Sequence, residues 1–123
     1  MKLLAFSDLH RDLDTAADLV ERSADADLVI GAGDFGSVHE GVAETIAALA
    51  PISVPTLLVP GNNETEDALR AACEGWEPAT VLHGEGTEVN GTQFYGLGAG
   101  INPKNLYRRR PLPPMVPSWR ALQ

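Results

Sequence analysis

Cysteine is almost missing from this chain: Cys73 is the only one among 123 residues. An intrachain disulfide is excluded, and a reducing compartment is expected. Cys73 falls beside Ala72 and Leu69 in a helical pattern, so it reads as core rather than nucleophile. Long apolar runs are also missing; none approaches the ~20 residues of a membrane-spanning helix. The opening Met1-Lys2-Leu3-Leu4-Ala5-Phe6 reaches Ser7-Asp8 too soon for a signal peptide. A cytoplasmic protein without membrane contact is therefore expected. Bases are scarce where acids are plentiful. Residues 1–100 hold all 17 acids against Lys2, Arg11, Arg22 and Arg70, a net charge of −13. General nucleic-acid binding does not suit such a body, because phosphate contacts need Lys and Arg. Histidine is limited to His10, His39 and His83, and no His-rich ligand motif occurs.

What is present is globular, with 44% hydrophobic residues and length for one modest core. Apolar runs over 2–6, 27–31 and 56–59 read as buried strands. Helical spacing over 13–24 puts Leu13, Ala17, Val20 and Ala24 on one face, with Asp12 or Asp14 as cap. Ser37 and Glu40 fit a capping box ahead of a helix that presents Val38, Val42, Ile46 and Leu49 and closes at Pro51. Thr65 caps a third helix over about 66–74, with Gly75 at its end. Thr80-Val81-Leu82-His83 reads as a short strand, and residues 87–96 as a hairpin around Asn90-Gly91. Alternating strands and helices predict an α/β fold with a mainly parallel sheet and right-handed crossovers.

Three polar motifs follow three of these strands. They are Asp8-Leu9-His10, Gly33-Asp34 and Gly61-Asn62-Asn63-Glu64. The carboxyl ends of strands are where open α/β sheets gather their ligands. Asp8 and His10, two residues apart in one turn, can reach a single cation. Asp34 can bridge two metals with its two oxygens, and Asn62 offers a neutral carbonyl oxygen to the second. Taken singly, Asp8 reads as an N-cap and Asp34 as a turn residue. Together and in order, each behind a strand, the motifs favour a metal site, since converging carboxylates without a cation repel. His39 reads as a helix-start or loop residue and His83 as a strand-end residue.

As a set, these motifs resemble the first three signatures of the calcineurin-like metallophosphoesterases. The resemblance covers residues 1 to about 100, the amino-terminal part of such a domain, and so implies a truncated one. It implies a four-layer α/β/β/α sandwich, here partial, holding two divalent ions, commonly manganese, iron or zinc. Asp8 and His10 would bind the first ion, Asp34 would bridge, and Asn62 would bind the second. The implied activity is hydrolysis of phosphomonoesters or phosphodiesters. Two departures bear on it. Asn63 stands where the family often has a His that contacts phosphate or assists the leaving group, and an amide supplies no proton near neutral pH. The family's later His ligands, including a Gly-His-x-His signature, are not in the sequence. Weak metal binding and little or no hydrolysis by this chain alone are expected. The alternative is a non-catalytic remnant that binds a metal or a partner.

Residues 101–123 differ in kind. They hold five of the nine prolines, no acid and five bases, including Arg108-Arg109-Arg110. A basic, Pro-rich, poorly ordered tail is expected, with at most weak nucleic-acid contact. A missing second half would leave sheet surface exposed, so self-association is a further expectation.

Overall fold

The computed structural model describes residues 1–37 and 40–98. His39 and the tail expected over 101–123 lie outside the described residues. The elements run β1 (Leu3–Phe6), α1 (Leu13–Ser23), β2 (Leu28–Gly31), α2 (Val42–Leu49), β3 (Thr56–Leu58), α3 (Glu66–Ala72), β4 (Ala79–Val81), β5 (Glu85–Val89) and β6 (Thr92–Gly96). The first four strands form a parallel sheet in sequence order, and β5 and β6 form an antiparallel pair. Sequential strand order with the usual crossover hand brings the three described helices to the same face, where they share one core.

Alternation along the strands divides the core in two. On the helix face, Val29, Leu58 and Val81 pack with Ala16, Leu19, Ile46, Leu49 and Leu69. On the other face, Leu28, Leu57 and Leu82 pack against Phe94 of the hairpin, joined by Ile30, Val59 and Val89. The hairpin therefore covers the β2–β4 side. Leu3 on β1 remains 49% exposed.

Two helices depart from their expected form. The buried face of α1 is Ala16, Leu19 and Ser23. Leu13 is 47% exposed, so the helix is turned by about one position from the face expected. Its cap is as expected: Asp12 accepts from the Thr15 backbone N–H at 3.1 Å. For α2, no capping box forms. Ser37 and Glu40 instead pair with each other through backbone hydrogen bonds of 2.9 and 3.0 Å. The helix begins later, with Gly41 at its N-cap in the left-handed region, φ 77°. Thr65 caps α3 by accepting from Ala68 N–H at 3.1 Å. Asn90 (φ 51°) and Gly91 (φ 79°) make the tight turn between β5 and β6.

Candidate metal centre

The site is built where the ladder between β1 and β2 continues past the strand ends. The N–H of Asp8 donates to Gly33 O at 3.1 Å, that of His10 to Asp34 O at 2.9 Å, and that of Arg11 to Phe35 O at 3.0 Å. The two loops are thus stitched together residue by residue. Asp8, His10, Arg11 and Asp34 all take left-handed backbone, with φ of 59°, 46°, 68° and 60°. Such angles cost of order 1 kcal/mol or more for a residue with a side chain, and they gather where structure serves a site. Three of the four, Asp8, His10 and Asp34, bring their side chains together.

One ligand atom each from Asp8, His10 and Asp34 lies within 4.8 Å of the others. His10 Nε2 is 3.3 Å from Asp8 Oδ1, and the two side chains are 44% and 61% exposed. Two carboxylates and an imidazole open to solvent are a donor set for hard or borderline divalent cations. Among the described residues, no Lys or Arg forms an ion pair with Asp8 or Asp34. The negative charge is left for a cation from solution, and the residues present fit one. The Ser7 hydroxyl, donating to Asp8 Oδ2 at 2.7 Å, holds the Asp8 carboxyl below the ordinary carboxylate range. The neighbouring Asp34 carboxyl and then His10 act in the same direction.

The third motif closes over Asp34. Asp34 Oδ1 accepts from the backbone N–H of Asn62 at 3.1 Å and of Asn63 at 3.2 Å, and from Asn63 Nδ2 at 3.0 Å. Asn63 Nδ2 also lies 3.4 Å from Asn62 Oδ1. Gly33 and Gly61 make this approach possible. A Cβ on Gly33 would stand 2.8 Å from the Gly61 Cα, and one on Gly61 would collide with the Asp34 carboxylate and backbone N. Glu64, the last residue of the third motif, is 5% exposed and accepts three backbone N–H bonds. The signal for it was an acid at the end of a turn motif, which spacing alone could not connect to a loop 30 residues earlier.

His83 is elsewhere: its Nδ1 accepts from Gly98 N–H at 2.9 Å, and it is not part of the three-residue cluster. The groove between the ends of α2 and α3, lined by Ile46, Pro51, Trp76 and Pro78, contains none of the site residues.

A model of the calcineurin-like phosphoesterase superfamily domain matches residues 1–97. The chain belongs to the calcineurin-like phosphoesterase superfamily. No curated protein matches it significantly. Among solved structures, TT1561 of Thermus thermophilus is similar with a TM-score of 0.70 and 22% identity, over 81% of this chain and 49% of that one. A second solved chain is similar with a TM-score of 0.65 and 17% identity, over 80% of this chain and 52% of that one. These likenesses show the phosphoesterase fold, with its parallel sheet flanked by helices. The chain spans about half the length of the solved structures it matches. The family is metal-dependent, and the Asp8, His10 and Asp34 cluster is the candidate centre of this member. Among the described residues, no helix is long and apolar enough to cross a membrane.

Proposed function

We propose that this chain is a metal-dependent phosphoesterase domain whose own hydrolytic activity is weak. The observation that carries the reading is the convergence of Asp8, His10 and Asp34 within 4.8 Å, without a competing Lys or Arg ion pair among the described residues. In this reading Asp8 and His10 would hold the first of two divalent ions, Asp34 would serve both, and Asn62 would offer its side-chain carbonyl oxygen to the second. Manganese, iron and zinc all suit such donors. Bound there, the ions supply Lewis-acid polarisation of a phosphoryl oxygen and a lowered pKa for water. Asn63 steadies Asp34 through Nδ2. Its amide cannot hand a proton to the leaving group, so that step goes unaided and slow.

Ligand supply is the second brake. The sequence offers only His39 and His83 as further imidazoles. His83 Nδ1 is already taken by Gly98 N–H. The substrate is a phosphomonoester or phosphodiester met in the cytoplasm, handled by a domain over residues 1–100 with 101–123 as a basic appendage. The test is turnover of p-nitrophenyl phosphate by the purified 123-residue chain with added manganese. Little or no turnover, alongside saturable manganese binding, is expected. Robust metal-dependent turnover overturns the impaired-activity reading, and absence of manganese binding overturns the metal site.

A second reading has its own support. A non-catalytic module that binds metal or a partner would use the same cluster together with apolar surface, and Met1 and Leu3 are 56% and 49% exposed. Turnover restored by adding a second chain that carries histidine ligands would favour the enzyme reading over this one.

A further inference from the structure

Glu64 is a buried carboxylate, and every hydrogen bond described for it comes from backbone N–H groups. Its Oε2 accepts from Asp34 N–H at 2.7 Å and from Gly61 N–H at 2.6 Å, and its Oε1 from Gly36 N–H at 3.1 Å. Among the described residues, no Lys, Arg or His forms an ion pair with it. A charge withdrawn from water is costly unless hydrogen bonds replace the lost solvation, and here three amides do so. Two of the three belong to the loop after β2, and one to the loop after β3 that carries Glu64 itself.

The arrangement is reciprocal. Glu64 leaves the β3 loop to bind amides of the β2 loop. Asp34 leaves the β2 loop to bind the amides of Asn62 and Asn63 in the β3 loop. Each loop gives the other a carboxylate and receives its N–H groups. Asp34 is therefore held at both ends: its backbone N by Glu64, and its Oδ1 by three donors. That leaves Oδ2 as the oxygen better placed to serve a cation. Glu64 itself is not a ligand candidate, because both its oxygens are committed and it is outside the three-residue cluster.

We propose that Glu64 is a positioning residue that sets the metal affinity of the centre by clasping the Asp34 and Asn62 loops before any ion arrives. The proposal rests on the metal-site reading above. Partners that orient ligands are typically worth about 10–100-fold in metal affinity. Glu64→Gln keeps the shape but turns one acceptor into a donor that faces N–H donors.

The experiment titrates the full chain with Mn2+ alone and follows free and bound ion by electron paramagnetic resonance, well below the melting temperature. Glu64→Gln should raise the Kd about 10–100-fold and alter the bound-ion spectrum. A lowered melting temperature with unchanged Kd and spectrum means that Glu64 only supports the fold, and overturns the proposal. Asp34→Asn separates the two claims. If it loses binding while Glu64→Gln keeps it, the clasp alone fails; if it binds as the parent does, the metal site fails and the clasp with it. Should Glu64→Gln not fold, amide exchange on the unaltered, metal-free chain decides. The amides of Asp34, Gly36 and Gly61 should be protected; exchange at random-coil rates would refute a preformed clasp.

Discussion

At Gly61 there is no room for a side chain. The added methyl of Gly61→Ala would meet the Asp34 carboxylate and backbone N at once, and neither can retreat without parting the two loops. Overpacking of this kind costs about 1–3 kcal/mol, which urea denaturation should register. The same substitution should weaken manganese binding, since the ligand loop is what moves. Cys73 gives a separate prediction. Burial pushes its thiol from the usual 9.0 up to about 11. The thiol should resist disulfide-exchange reagents at pH 8 in the folded chain and react on unfolding. The folded chain holds this proton more tightly than the unfolded one. Cys73 therefore contributes stability below about pH 9 that is lost as pH rises toward about 11. Asp8 runs the other way. Its lowered carboxyl, owed first to Ser7, adds stability above the ordinary value of 3.8 that is lost as pH falls through the lower folded value. Ser7→Ala should bring the Asp8 titration, followed by NMR, back toward 3.8. Asp8, His10 and Asp34 were legible in the sequence because each follows an apolar run. The burial of Glu64 was not, because it depends on contacts between residues 28 and 30 positions apart.

Caps were readable at the level of elements wherever the capping side chain acts on its own helix. Asp12 and Thr65 both bond an N–H three residues on, a relation that spacing contains in full. Asp12→Ala should destabilise the chain, measured as a lowered denaturation midpoint. The start of α2 was not readable, because Ser37 and Glu40 satisfy each other and Gly41 takes up the left-handed turn. The face of α1 was displaced for a related reason. Ala16 and Ser23 take the interior positions, the Ser23 hydroxyl donating to Val20 O at 2.6 Å, and Leu13 is left outside. The hairpin turn at Asn90-Gly91 was plain, since few other dipeptides accept two positive φ angles in succession.

For the molecule as a whole, strand order decides what is covered. The three helices among the described residues lie on one face, and the hairpin shields the β2–β4 side of the other. Met1 and Leu3 stay in solvent at the uncovered β1 end. We propose this surface as the place of the self-association expected from the sequence. Sedimentation of the parent chain should show a concentration-dependent increase in mass, and Leu3→Lys should reduce it; a parent that stays monomeric at all concentrations argues against the idea. The acidic body and the site at the strand ends are compatible, since a cation held at Asp8, His10 and Asp34 would offset part of the negative charge.

The most direct test is anomalous diffraction from crystals of the chain grown with manganese. A peak is predicted about 2–2.5 Å from an oxygen of Asp8, His10 Nε2 and an oxygen of Asp34. Density for manganese at other residues, or at none, would contradict a metal centre formed by these side chains.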